Sequence, residues 1–277
     1  MRRFWRAGAV IFVGIAFGAV GFTPATVAAQ EQTAPPASAL SVPTVDDIAL
    51  LKKAVDAVQK SPVALTSDLK VKASGGGVVV LINETIKVSG QFPGKFRSDV
   101  TLLDEDGKTA AATFQVVGNG TDVYTYRPDT KKYAVQTLEA FQKDFAMPVI
   151  GVICGLIASG TPWVGDDAPT DATGVGVLLD AMKSGGMILE SGAGENGRRV
   201  FSIRPVSEAG DGFRVMATAD SRTGSFVRME MSGKMGDWKF AITETVRSMA
   251  KLPGFESAGF TPPADAEKVA KLSVWPF

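Results

Sequence analysis

Ser225 to Ser248 reads SFVRMEMSGKMGDWKFAITETVRS, and its period decides the fold class. Val227, Met229 and Met231 alternate with Arg228 and Glu230. After Gly236-Asp237, Trp238, Phe240 and Ile242 alternate with Lys239, Ala241 and Thr243. A period of two on both sides of a short glycine turn is the pattern of an antiparallel hairpin with one dry and one wet face. Working back from there, segments at about 186–193, 198–206 and 212–220 repeat the pattern, with turns at Gly194–Gly197, Gly210–Gly212 and Thr223-Gly224. Earlier still, six more strands are predicted at roughly 65–73, 77–89, 95–103, 109–117, 121–127 and 132–138. In the third of these, Phe96, Val100 and Leu102 fall on one face and Arg97, Asp99 and Thr101 on the other. Eleven strands joined by tight turns make an antiparallel sheet, and a sheet of that size curls or closes because twist accumulates.

The alternation is interrupted twice by helical patterns. Thr44 or Asp46 caps a predicted helix over about 47–60, where Ile48, Leu51, Val55 and Val58 form one apolar stripe and Pro62 ends the run. Between the sixth and seventh strands, Phe145 to Ala158 (FAMPVIGVICGLIA) carries no charge. After a polar loop, Val175 to Lys183 brings Val177, Leu178, Ala181 and Met182. Two short apolar helices fit these stretches. The first is too short to span a bilayer and contains Pro148, Gly151 and Gly155, so it has to be buried or cover something.

Upstream, Arg2, Arg3 and Arg6, the apolar run Ala7 to Phe22 and the small residues Val27-Ala28-Ala29 read as a Sec-type signal, with cleavage expected after Ala29. Residues 30–44 read as a disordered Pro/Ala/Ser/Thr tether, and 45–277 as one domain. The 29 basic and 29 acidic residues balance, so loss of the three leader arginines leaves a charge near −3. Nothing in that charge favours nucleic acid. The single cysteine excludes an intramolecular disulfide, so the fold holds by packing alone.

The chain offers little to catalysis. It has no histidine, which removes the commonest general base and transition-metal ligand. Ser67 to Lys70 and Ser248 to Lys251 match Ser-x-x-Lys but lack the partner motifs of that chemistry. Asp104, Glu105 and Asp106 before Gly107 fit a solvated turn better than a calcium loop. Cys154 lies within an apolar run without a basic neighbour and reads as an inert thiol. No acidic pair is expected on the apolar face. Met216, Met229, Met231 and Met235 either fill the core or form a soft lining for a flexible apolar ligand.

Three stretches resemble the periplasmic lipoprotein carriers of the LolA/LolB type and predicted periplasmic proteins related to them. They are Gly90 to Arg97 (GQFPGKFR), Asp122 to Val135 (DVYTYRPDTKKYAV) and Phe260 to Val269 (FTPPADAEKV). The resemblance implies an open half-barrel whose concave side is plugged by helices and holds acyl chains, with a role in outer-membrane biogenesis. One position departs from it. Where those carriers commonly place an Arg before the Pro and bond it to the lid, this chain has Phe92, so the polar latch on the lid is not expected.

The expectation is therefore an α+β, mostly β protein: an open antiparallel half-barrel of about eleven strands with three helices forming a lid over the concave face. Ile150, Ile153, Leu156 and Ile157 are the expected lid residues, and Phe96, Tyr124, Met229, Met231, Trp238 and Phe240 the expected lining. The expected function is a periplasmic, non-enzymatic carrier that binds a lipid or an acylated protein. It needs no cofactor or metal, acts as a monomer, and meets a membrane-associated donor or acceptor protein. The alternative is an envelope scaffold or sensor domain that docks a protein and holds no lipid.

Overall fold

The computed structural model describes residues 40–104, 106–144, 149–158, 169–207, 212–256 and 259–272. The expected signal segment and most of the tether lie outside the described residues. Helix α1 (Val45–Gln59) is followed by β1 (Val63–Gly75), β2 (Val78–Gln91), β3 (Lys95–Leu103), β4 (Ala110–Asn119), β5 (Asp122–Arg127) and β6 (Lys132–Thr137). Helices α2 (Leu138–Asp144), α3 (Val152–Ala158) and α4 (Ala172–Ser184) come next. Strands β7 (Met187–Ala193), β8 (Arg198–Pro205), β9 (Gly212–Asp220), β10 (Ser225–Met235) and β11 (Trp238–Lys251) follow, and a two-residue strand, β12 (Glu267–Lys268), ends the series.

The twelve strands form one open sheet in the order β12-β6-β5-β4-β3-β2-β1-β11-β10-β9-β8-β7. Two antiparallel meanders, β1 to β6 and β7 to β11, are thus fused through the pairing of β1 with β11. The strand order dictates the path of the insert. The chain leaves β6 near one edge and re-enters at β7 on the other, so the helices between them have to lie across a face of the sheet. They cross the concave one, where α3 packs on β10 and β11 and α4 packs on β7.

Local chemistry explains the elements. Gly76 and Gly77 both take positive φ (57° and 81°), which a two-residue turn between twisted strands requires, so the β1–β2 hairpin closes tightly there. Helix α1 starts with a reciprocal capping box in which the Thr44 hydroxyl accepts from the Asp47 amide (3.2 Å) and the Asp47 carboxylate accepts from the Thr44 amide (2.9 Å). Its buried stripe is Ile48, Leu51, Ala54, Val55 and Val58. Each of the four branched aliphatics contributes roughly 1.5–3 kcal/mol of burial. The Asp47 carboxylate also takes a forked pair from Arg199 (2.5 and 2.9 Å) and a bond from the Ser191 hydroxyl (2.8 Å), which fastens α1 to β7 and β8.

On the other half, Phe92 stacks on Phe96 (5.9 Å) and Phe96 meets Phe141 of α2 (5.8 Å). Outside the sheet, Phe260 is surrounded by Tyr124, Tyr126 and Tyr133 at 5.3–6.0 Å, and the segment behind it adds β12 in parallel to β6. Helix α2 is a correction to the sequence reading, which extended the sixth strand through Leu138. The Thr137 hydroxyl accepts from the Ala140 amide (3.1 Å) and turns the chain into a helix instead.

Candidate functional site

The concave face is best described by its cross-strand register. Leu102, Glu84, Leu69, Glu244, Met229, Ala217, Phe201 and Ser191 stand directly opposite one another on β3, β2, β1, β11, β10, β9, β8 and β7, one continuous row across eight strands. All are buried. On the side of this row toward the β1–β2 and β10–β11 turns, Val71, Ile82, Ile203, Phe213 and Phe240 are only partly buried and form an apolar rim. On the other side, Ile86, Val88, Phe96 and Val100 are fully covered.

The cover at the middle of the trough is the uncharged part of the insert, Val149 to Ala158. Every residue of α3 is buried, and Ile150, Ile153, Leu156 and Ile157 are 0, 1, 6 and 7% exposed, so the helix is seated in the trough with side chains filling the space beneath it. Residues 145–148 of the apolar run, and the loop 159–168 after it, lie outside the described residues.

Polar contacts hold this cover at three points. The buried Glu244 carboxylate accepts from the Ile153 amide (2.9 Å) through one oxygen and from the Ser67 hydroxyl (2.7 Å) through the other. The Ser98 hydroxyl donates to the Val149 carbonyl (2.5 Å), and the Gln142 side-chain amide donates to the Ala158 carbonyl (2.7 Å). The expectation that Phe92 costs the chain its polar latch is therefore corrected: the latch is present, but it comes from β11, β3 and α2. Gly151 makes the approach to Glu244 close enough to work. Its φ is +79°, and a Cβ there would run into the Glu244 carboxyl.

Glu244 has a counterpart. Glu84, on the other flank of β1, is also buried, and its Oε2 has no hydrogen-bond partner. Its neighbours in register are Leu69 and Leu102, and Ile82 and Ile86 lie beside it along β2. Desolvation pushes its carboxyl up to about 8, so it is mostly protonated at neutral pH. Burial also raises the Glu244 carboxyl, against the opposing pull of its bonds to Ile153, Ser67 and Val152. A buried carboxyl without a partner costs about 1–3 kcal/mol or more, so Glu84 is an expense that the fold alone does not require.

The expectation of no acidic pair on the apolar face is thus overturned. The signal was legible: Ile82-Asn83-Glu84-Thr85-Ile86 and Ile242-Thr243-Glu244-Thr245-Val246 repeat one pattern, and alternation puts both glutamates on the side of their isoleucines. Burial, followed by the Glu244 charge, pushes the Cys154 thiol well above its ordinary range, in keeping with an inert thiol.

Of the expected lining residues, Phe96, Met229 and Met231 lie on the concave floor, and Phe240 lies on the rim. Trp238 packs over Gly75, where a Cβ would meet the indole ring at 2.6 Å. Tyr124 is on the opposite face, against Phe260, while its neighbours Val123 and Thr125 point inward. A separate open groove of about 860 Å3 lies outside, between α1 and the ends of β10 and β11, lined among others by Ala49, Lys53, Lys60, Met249 and Lys251. None of the ten expected residues reaches it. Among the described residues no group of acidic or cysteine side chains could hold a metal, and no helix is long and apolar enough to cross a membrane.

One open sheet with helices laid across its face defines the chain, in architecture, as an open half-barrel with a helical cover. Solved structures similar in fold include an uncharacterised conserved protein from Thermus thermophilus (12% identity, 80% of this chain and 98% of that one, TM-score 0.41). LprF from Mycobacterium bovis is another (10% identity, 82% and 100%, TM-score 0.35). A LolA superfamily protein from Nitrosomonas europaea is a third (9% identity, 75% and 94%, TM-score 0.30). No family model matches the chain, and no curated protein matches it.

Proposed function

We propose that this protein is a non-enzymatic carrier of the cell envelope that holds a lipid or the acyl chains of a lipidated partner in its concave trough, in exchange for α3. The observation behind this reading is the insert itself. A ten-residue uncharged segment, Val149 to Ala158, contacts the sheet and α2 through apolar surface and a few hydrogen bonds. Apolar surface is stabilised by about 25 cal/mol per Å2 wherever it is buried, so a cover that gives up contacts to acyl chains exchanges like for like. Ligand and lid then compete for the same floor of Phe96, Met229 and Met231. Export by a cleaved signal and action in the periplasm belong to the same proposal, supported by the Arg-rich, apolar start of the chain.

The seated state of α3 equally favours a second reading, a scaffold with a permanently closed lid that docks a protein. Extraction of the purified full chain and mass spectrometry of its lipids separates the two. Co-purified acyl lipid in stoichiometric amount is the expected result. An empty protein that also fails to take up lipid from mixed micelles would leave the scaffold.

A further inference from the structure

Among the described residues, Glu84 Oε2 is the only buried side-chain oxygen or nitrogen without a hydrogen-bond partner. The buried serines are engaged: Ser67 with Glu244, Ser98 with Val149, Ser191 with Asp47 and Ser202 with Arg214. The position of this oxygen matters as much as its lack of a partner. Glu84 lies on the inward side of β2, between the fully covered Ile86 and the partly exposed Ile82. It therefore marks the boundary between the floor under the lid and the open rim.

We propose that Glu84 is the polar anchor of the ligand, hydrogen-bonding the ester carbonyl at the root of its acyl chains, which assigns the trough to O-acylated glycerol lipids rather than plain hydrocarbon. This rests on the carrier reading above. The chains run along the floor that α3 vacates, and the glycerol stays at the rim. The chemistry follows from burial. In an apolar wall the carboxyl is a neutral acid, one O–H donor beside one acceptor, and a neutral carbonyl satisfies the donor without bringing a second charge out of water. An ammonium or metal cation would have to be desolvated with it. Glu244 is the other ionisable group on that row. It stands two strands away, its oxygens taken by Ser67 and Ile153, and the lid segment brings no charge of its own.

The test uses the delipidated full chain and three probes with one chain length: 1-lauroylglycerol (ester), 1-O-dodecylglycerol (ether) and dodecane, with binding measured by equilibrium dialysis of radiolabelled compound. The native protein should bind the ester at least about tenfold more tightly than the ether, as loss of one buried hydrogen bond implies. Glu84→Leu should bind dodecane like the native protein and lose that preference, while Glu84→Gln, which keeps a donor and an acceptor, should retain it within about threefold. Equal affinity of the native protein for ester and ether overturns the anchor without recourse to any variant. Binding of dodecane with no ester preference leaves the carrier standing and removes Glu84 from it. Failure of all three probes to bind removes both.

Discussion

Glu84 and Glu244 stand at one level of the sheet on the two strands that flank β1, each directly opposite Leu69. They share a local pattern, an isoleucine two residues before and a threonine directly after, and differ in what they meet. Glu244 is saturated by the lid and Ser67, whereas Glu84 has no described partner for its Oε2. One carboxyl ties the cover to the sheet, and its twin is the one the anchor proposal concerns.

The difference should appear in the pH dependence of stability. The folded state holds a proton on Glu84 up to about 8, against an ordinary value of 4.5 in the unfolded chain. A raised folded value means that its favourable contribution is complete below about 4.5 and is lost as pH rises toward 8. Urea melts at about pH 5 and about pH 8.5 should show the native protein losing roughly 2–4 kcal/mol more than Glu84→Gln. Glu244 titrates in both proteins, so the difference isolates Glu84. Parallel pH profiles would show that Glu84 ionises as freely as in water.

Glu244→Ala leaves the Ile153 amide and the Ser67 hydroxyl without their shared acceptor. A global loss of about 2–4 kcal/mol is expected. Hydrogen exchange locates the effect: the amides of α3 should lose protection by more than those of α1, whose cap and stripe do not involve Glu244. Uniform loss across both helices would mean that Glu244 supports the core rather than the lid.

Two glycines predict opposite signs for one substitution. Gly151→Ala must hold a positive φ and push a methyl group into Glu244, at a cost of about 2–4 kcal/mol. Gly176, exposed within α4 with open space around it, should gain about 0.5–1 kcal/mol as alanine. Thermal melts of the pair read the contrast, and a neutral Gly151→Ala would refute the close approach.

Asp47 sets the acid limit of α1. Burial pushes its carboxyl up, but the forked bond from Arg199, with Thr44 and Ser191, holds it at about 2. A lowered folded value contributes stability that is complete above about 3.8 and disappears as pH falls through about 2, worth about 2 kcal/mol. Asp47→Asn should therefore show a flatter profile between about pH 4 and about pH 2 by far-UV circular dichroism, and a drop as steep as that of the native protein would exclude the pair as its cause.

The strands were legible because each one alternates and each turn carries glycine; all eleven long strands fall within a few residues of their predicted bounds. Helix α1 was equally plain from its cap and its stripe. What escaped is non-local. The inward face of β5 could not be chosen from Val123 and Tyr124 alone, because the tyrosines are partly covered on the outer face by Phe260, more than a hundred residues later. The pairing of β1 with β11 is similarly invisible to a reading of successive hairpins. The two glutamates were legible only through their flanking residues: each interrupts the apolar alternation of its own face, and the isoleucines beside it are what assign it inward.

The seam between the two meanders sets a timetable for assembly. Val63 is opposite Lys251, so the first strand has to wait for β11, the last long one, before its second edge is satisfied. Up to that moment β1 presents an open edge to any passing chain, and closing the loop is entropically slow. A newly made copy is therefore most prone to mispairing late in its synthesis, and a holding chaperone that shields residues 63–75 is the kind of help such a topology rewards.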